Sequence, residues 1–251
     1  MTEETKYSFR SFLNGAFGGT VGITISHPFD TIKTCIQDNK PVKLGIRSLY
    51  NGFLPPLIGV GFEKAIVFGV YTNTYTYIEK YSNNTILNNT ISGGLSGLMA
   101  SLIVTPVERI KILLQTNQKV NINQLTPKYL FKGLSATFTR ETPGFAIYFN
   151  IYEGFKKYFY TNKNQEIPVF SSFIFGGLSG SAAWIFIYPQ DCIKTRMQAN
   201  INCTKSFSQV VKEIYNDGGF KIFYRGFHYA LMRAIPLHAG TFMTFEYLKK
   251  I

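Results

Sequence analysis

The sequence predicts an all-α membrane protein with six transmembrane helices, arranged as three similar two-helix repeats. The first observation is a motif that occurs three times, with its prolines 78 and 83 residues apart. The second is a set of long stretches without charged residues. A fixed period of this kind usually defines the whole fold. The motif consists of Pro28, Asp30, Lys33 and Gln37, then Pro106, Glu108, Lys111 and Gln115, then Pro189, Asp191, Lys194 and Gln198.

The first helix of each repeat is predicted from an uninterrupted apolar run. Residues 11–29, 81–107 and 167–190 contain no Asp, Glu, Lys or Arg. A helix needs about 20 such residues to cross a hydrocarbon core of ~30 Å. A soluble protein with buried helices is the alternative, but three such runs in one chain favour the membrane.

The second helix of each repeat is interrupted by charge near its middle. The segments 48–78, 133–152 and 226–245 are otherwise uncharged. Ionisable residues inside membrane helices usually face a cavity and serve function. One uninterrupted and one interrupted segment per repeat give six helices. The interrupting residues are Glu63 and Lys64, Arg140 and Glu141, and Arg233.

Two kinds of residue predict how these helices are shaped and packed. A proline inside a helix removes a backbone hydrogen bond and kinks the helix, so Pro28, Pro106 and Pro189 are predicted kinks. Glycine pairs four residues apart precede each proline, and small residues allow close helix packing in lipid. The pairs are Gly15 and Gly19, Gly93 and Gly97, and Gly176 and Gly180.

The composition restricts the class of protein. The formal net charge of +12 suggests anionic partners, but no basic stripe or recognition helix predicts nucleic-acid binding. The bases instead cluster between the two helices of each repeat, as expected for short loops beside anionic lipid. The three cysteines have no metal-ligand spacing, so no metal, cofactor or disulfide framework is predicted. We also expect no cleaved presequence, because the N-terminus carries Glu3 and Glu4 and lacks an apolar core.

The threefold motif, the preceding glycine pairs and an aromatic-x-glycine after each motif resemble the mitochondrial carrier family. The resemblance covers nearly the whole chain, with repeats at 8–82, 86–161 and 167–250. It implies a barrel-like bundle of six helices in the mitochondrial inner membrane, with pseudo-threefold symmetry, its termini toward the intermembrane space and its loops in the matrix. It also implies alternating access around one central substrate site, in a monomer.

The charged motif residues are predicted to close the matrix end. One acid and one base three residues apart can form a local ion pair on one helix. Three copies at three kinks favour a ring of bridges between neighbouring helices, and the resemblance implies that Gln37, Gln115 and Gln198 brace it. The resemblance also implies that Gly52, Gly133 and Gly226, at helix N-termini with free backbone donors, bind cardiolipin.

The opposite, cytoplasmic gate is predicted to be weaker. The family motif of aromatic, acid and base is present at Glu153 with Lys156 and at Glu246 with Lys249. The first repeat has Thr72 at the position of the acid and Tyr75 at that of the base. We therefore expect Glu153 to pair with Lys249, or Glu246 with Lys156, across one interface only. In the matrix loops, only the third repeat has the length and pattern for an amphipathic helix.

The substrate site is predicted where the repeats differ. Arg140 and Arg233 suit a carboxylate, because guanidinium binds it in a bidentate manner. Glu63 and Glu141 would accept a cationic group, and Gly59 lies on the same helix face as Glu63. These residues resemble those of the basic amino acid and ornithine carriers and of the carnitine/acylcarnitine carriers. Glu63 favours basic amino acids such as ornithine, arginine or lysine.

Other functions remain open at this point. An enzyme is not expected, because no nucleophile elbow, phosphate-binding loop or ligand pair of histidines is present. A proton leak and a non-transporting membrane adaptor are both compatible with a carrier-like sequence. A structural ion pair between helices is the alternative for Arg140 and Glu141.

Overall fold

The structure is a computed structural model that describes residues 3–118, 125–160, 168–199 and 205–250. Side chains at 3–16, 169, 173, 235, 238–239, 241–243 and 245–250 are not among those described. The described part of the chain forms α-helices and one short 3₁₀ turn. The helices are α1 (Glu3–Gln37), α2 (Ile46–Leu49), α3 (Leu54–Ile78), α4 (Thr85–Gln115), α5 (Pro127–Leu130), α6 (Leu134–Phe159), α7 (Val169–Ala199), α8 (Phe207–Asn216) and α9 (Phe227–Lys250).

The six long helices form three hairpins, α1–α3, α4–α6 and α7–α9. Helices α3 and α4, α6 and α7, and α9 and α1 pack extensively, which closes the bundle into a ring. We call the end that carries α2, α5 and α8 the loop end, and the opposite end the terminal end. The prediction of an all-α fold built from three helical hairpins is confirmed.

The bundle presents a surface suited to lipid. Among the described residues, three segments are long and apolar enough to cross a membrane, Ile46–Ile78, Thr85–Gln115 and Phe170–Ala199. Large apolar side chains on these helices point outward, and Phe62 is 64% exposed. A surface of this kind is stable in hydrocarbon and unstable in water.

The motif prolines lie inside the continuous helices α1, α4 and α7. Each lacks an N–H, so the carbonyl four residues earlier loses its helical partner. In the first repeat the Tyr50 hydroxyl donates to that carbonyl, at Thr24, over 3.1 Å. In the third repeat the Tyr224 hydroxyl donates to the corresponding carbonyl, at Ile185, also over 3.1 Å. The second repeat has Phe131 at this position, which has no hydroxyl to donate.

The glycine pairs differ between repeats. In α4, a Cβ on Gly93 would lie 2.8 Å from the Phe145 carbonyl oxygen of α6, and Gly97 approaches α6 more closely still. In contrast, a Cβ on Gly19 of α1 or on Gly180 of α7 would meet nothing within 4 Å. Close packing is thus confirmed for the second repeat, and it was wrong for Gly19 and Gly180. A Cβ on Gly176 would lie in ordinary contact, 3.4 Å from the Tyr148 hydroxyl, and the surroundings of Gly15 lie outside the described residues. Helices α1 and α3, like α7 and α9, make few contacts with each other.

The loop-end segments agree with the sequence. Helices α2 and α5 are single turns of four residues, whereas α8 has ten. Helix α8 begins with a capping box formed by Ser206 and Gln209 and buries Val210 and Ile214. These two side chains pack with Ala136 of α6 and with Ile193 and Met197 of α7. The prediction of an amphipathic helix in the third repeat alone is confirmed for the described residues.

Candidate functional site: a cavity above a ring of ion pairs

Six charged motif residues meet at the loop end, and we call them the charged ring. The Nζ of Lys33 lies 2.5 Å from Oδ2 of Asp191. Every lysine of the ring pairs with an acid from another repeat and not with the acid three residues earlier on its own helix. The ring therefore ties α1, α4 and α7 together. Its pairs are Lys33 with Asp191, Lys111 with Asp30, and Lys194 with Glu108.

Two of the three motif glutamines bond to the ring. Gln37 donates to Asp191 over 3.0 Å, and Gln115 donates to Asp30 over 3.0 Å. Gln198 instead donates to the Thr137 hydroxyl of α6, over 3.4 Å. The structure thus differs from the expectation that Gln198 braces its own pair, because the amide reaches α6 and not the carboxylate.

Two arginines, Arg140 and Arg233, supply further contacts to the acids of the ring. The guanidinium of Arg140 lies 3.1 Å from Glu108 and 3.0 Å from Asp191, and it also pairs with Glu141. Arg233 lies 3.2 Å from Asp30. Both predicted carboxylate receptors are therefore bound to acids of the ring in this conformation. Sequence reasoning missed these pairs, because Arg233 and its acid are separated by nearly the whole chain.

A central cavity of about 610 Å³ lies on the terminal side of the ring. It is lined from all six long helices and is large enough for a small metabolite. Glu63 and Glu141 line it, together with Arg140 and Arg233. The cavity thus brings together the residues that the sequence predicted, although they come from three different repeats.

Two of the predicted substrate residues, Glu63 and Gly59, also have contacts within the protein that explain them. Glu63 pairs with its neighbour Lys64 at 2.9 Å. A Cβ on Gly59 would lie 2.7 Å from Val107 of α4, so packing of α3 on α4 already requires a glycine there. The substrate roles of Glu63 and Gly59 stay predictions.

The floor of the cavity contains one residue that the sequence analysis missed. Trp184, the single tryptophan of the chain, faces two cations of the floor. The Nζ of Lys33 lies 4.7 Å from the ring centre, and Cζ of Arg233 lies 5.9 Å from it. An aromatic face attracts cations at these distances. The missed signal was an aromatic residue five positions before a kink proline, Pro189.

The three turn glycines have a conformational role. Gly52, Gly133 and Gly226 have φ values of +74°, +86° and +81°, which favour glycine. A Cβ on Gly52 would also lie 2.7 Å from the Lys111 carbonyl oxygen. Backbone geometry thus explains these glycines on its own, and binding of cardiolipin there stays a prediction.

The terminal end is less connected in the described part of the chain. Glu153 pairs with Lys156 of its own helix at 2.8 Å, and not across an interface. The side chains of Glu246 and Lys249 lie outside the described residues, so the expected cross-interface pairs remain predictions. Tyr71 of α3, one position before Thr72, stacks on Phe149 at 3.6 Å. Within the described residues, no three His, Cys, Asp or Glu side chains are placed to hold a metal ion.

Comparison with known proteins identifies the fold family. The family model for mitochondrial carrier proteins matches residues 82–163 and 165–251. The mitochondrial basic amino acids transporter of Rattus norvegicus is 31% identical, over 93% of this chain and 86% of its own length. The mitochondrial glycine transporter YMC1 of Saccharomyces cerevisiae is 31% identical, over 94% and 89%. The mitochondrial carnitine carrier of the same yeast is 30% identical, over 95% and 86%. The chain belongs to the mitochondrial carrier family, whose members are transporters and whose usual location is the mitochondrial inner membrane.

Proposed function

We propose that this carrier transports a small zwitterionic metabolite by alternating access, and that a basic amino acid such as ornithine, arginine or lysine fits it best. The observation that carries this proposal is the pairing of charges in one cavity. Arg140 and Arg233 lie at its floor, and Glu63 and Glu141 line it. A molecule with a carboxylate and a separate cation finds both complements in this cavity.

The carboxylate of the substrate would compete with the charged ring for guanidinium. Arg140 bridges Glu108 and Asp191, and Arg233 holds Asp30. When a substrate carboxylate takes over these arginines, the ring loses the bonds that supplement its lysines. Binding at the cavity floor therefore weakens the closed loop end, which the family resemblance places in the matrix. A substrate that binds the two conformations with different free energies shifts the equilibrium between the closed and the open loop end.

The cationic end of the substrate would compete with Lys64 for Glu63. Their contact is 2.9 Å long, but the Lys64 side chain is 52% exposed. An ion pair with one exposed partner contributes little stability, so the lysine is easily displaced. A lysine or ornithine ammonium is the closest chemical equivalent of the group that Glu63 already binds.

Carnitine is the second candidate, because the cavity also has an aromatic wall. Phe68, Phe145, Tyr148 and Phe149 line it. Aromatic faces bind quaternary ammonium groups, which cannot donate hydrogen bonds to a carboxylate. Relatives named for basic amino acids, glycine and carnitine are about equally similar to this chain, so sequence identity does not choose among them.

Exchange in liposomes tests the proposal. The purified protein is reconstituted, and uptake of labelled ornithine, arginine, lysine, glycine and carnitine is measured against internal unlabelled substrate. We expect exchange of basic amino acids above the rate in protein-free vesicles. Proton conductance without exchange would favour a leak, and neither activity would favour a membrane adaptor.

The variant Lys64→Gln tests the position of the cation. Because it removes a competitor for Glu63, we expect the KM for ornithine to fall several-fold. The KM for carnitine should fall less, through the Phe145 face that the Lys64 ammonium covers at 5.6 Å. Lys80→Gln is the matched control, since Lys80 is exposed in the turn after α3, away from the cavity. An unchanged KM in Lys64→Gln, or an equal change in the control, contradicts the assignment of Glu63. Loss of ornithine but not carnitine uptake in Glu63→Ala would support it.

A further inference from the structure

A second, smaller chamber lies within the charged ring, below the central cavity. Its volume is about 60 Å³. A single water molecule needs about 10–15 Å³ of such space, so the chamber has room for one small ion together with a few water molecules. Arg140, Trp184 and Arg233 line both spaces, so the chamber adjoins the floor of the central cavity.

The chamber is rich in positive charge. Among the described residues that line it, five are cationic, namely the three lysines of the ring, Arg140 and Arg233, and three are acidic. Glu141 lies beside Arg140 and offsets one of the two excess charges. The pair of Glu63 and Lys64 is neutral as a unit. One positive charge remains, and it belongs to Arg233, which shares its single acid, Asp30, with Lys111.

Two arginines that line the chamber also carry hydrogen-bond donors without an acceptor. The Nε of Arg140 and the Nε of Arg233 are buried, and neither has a hydrogen-bond partner among the described residues. Arg140 is itself about nine-tenths buried, with 9% of its surface exposed. A buried donor without a partner costs about 1–3 kcal/mol and more when charged. Water can satisfy such a donor, but water leaves the excess charge uncompensated.

We propose that this chamber binds one small monovalent inorganic anion, of the size of chloride, while the charged ring is closed. The anion accepts from the arginine donors and neutralises the excess charge of Arg233. It therefore stabilises the conformation closed at the loop end, and it leaves when the ring opens. The anion would share Arg140 and Arg233 with the proposed carboxylate site, so anion and substrate carboxylate compete for them. The proposal does not depend on which metabolite is transported.

Thermal unfolding of the purified carrier in detergent tests the site. The unfolding midpoint is measured in sodium chloride, bromide and gluconate at one fixed ionic strength. Screening of the ion pairs depends on ionic strength alone, so it is the same in the three salts. We expect the midpoint to rise with chloride or bromide along a saturating curve, as for any ligand of the folded state. Gluconate, a carboxylate too large for the chamber, should give no such rise, which also separates an inorganic anion from a metabolite carboxylate.

Two variants locate the effect. Arg233→Gln removes the excess charge and should abolish the difference between chloride and gluconate. Arg225→Gln is the matched control, because Arg225 contacts Asn39 outside the chamber and carries the same charge. This control should keep the full difference. If Arg233→Gln does not fold, Arg233→Lys is used, because it keeps the charge. This variant should still be stabilised by chloride, but the chloride concentration that gives half of the effect should change. The proposal is overturned if the unfolding midpoints are equal in the three salts. It is also overturned if Arg233→Gln keeps the difference between chloride and gluconate, or if Arg225→Gln loses it.

Discussion

The second repeat and its two neighbours hold their helices together in different ways. In the second repeat, α4 and α6 touch along their length through Gly93 and Gly97. In the first and third repeats the two long helices make few contacts with each other. There the loop end is tied by Tyr50 and Tyr224, in the turns before α3 and α9, which bond to carbonyls freed by the prolines. Beyond that point the helices of these two repeats separate, and the cavity lies between them.

This difference indicates which parts of the bundle are rigid. A helix pair joined by backbone contact along its length moves as one body, because packed interfaces do not deform continuously. A pair joined at one end can pivot about that end. We therefore expect the second repeat to act as a fixed unit, and the first and third repeats to change the angle between their helices during transport.

The largest expected effect comes from filling the glycine contact of the second repeat. In Gly97→Ala the new methyl group would overlap the Glu141 backbone of α6. Overpacking of this kind costs about 1–3 kcal/mol and sometimes more. The unfolding midpoint in detergent should fall clearly, as measured by thermal denaturation.

Gly180→Ala is the matched control for this change. It adds the same methyl group at the equivalent motif position of the third repeat, where the space is open. Its midpoint should stay within the error of the unsubstituted protein. Equal losses in both variants would mean that the two repeats pack alike, and the comparison would then be invalid.

An intermediate effect is expected from removing one tyrosine hydroxyl. Tyr224→Phe leaves the Ile185 carbonyl without its partner at the proline kink. The net loss for such a bond is about 1 kcal/mol. The midpoint should fall by less than in Gly97→Ala, and transport rates should change because the pivot is loosened. Tyr215→Phe is the control, because it removes a hydroxyl from the exposed face of α8. It should change neither the unfolding midpoint nor the transport rate.

The sequence predicted the parts of this architecture that repeat. Three copies of the motif predicted that Asp30, Glu108 and Asp191 pair across repeats, because a symmetric ring is the arrangement that satisfies three identical units. It did not predict the insertion of Arg140 and Arg233 into that ring. Those contacts depend on how far α6 and α9, the second long helices of their repeats, lean inward, which no local pattern encodes.

The glycine motif illustrates the same limit. Gly97 and Gly180 stand in equivalent sequence positions, but only Gly97 contacts a neighbouring helix. Whether a small residue is used depends on the angle between two helices, and that angle depends on the conformation of the whole bundle. A motif therefore predicts that close packing is possible, and the structure decides where it occurs.

The smallest expected effect is a gain, from Phe131→Tyr in the second repeat. This repeat lacks the hydroxyl that bonds to the carbonyl four residues before the proline in the other two. By pseudo-symmetry the new hydroxyl should reach the Leu102 carbonyl of α4. A new hydrogen bond contributes about 0.5–1.5 kcal/mol, and less here because Phe131 is 38% exposed.

The matched variant for this gain is Phe138→Tyr, which adds the same hydroxyl seven residues later, in the second turn of α6. Thermal denaturation should show a small rise in the midpoint for Phe131→Tyr alone. Because α4 and α6 are already held along their length, transport should not change, whereas the opposite substitution at Tyr224 should alter it. If Phe131→Tyr slows transport as well, the second repeat also pivots at its loop end. The distinction between a rigid second repeat and two pivoting neighbours would then have to be abandoned.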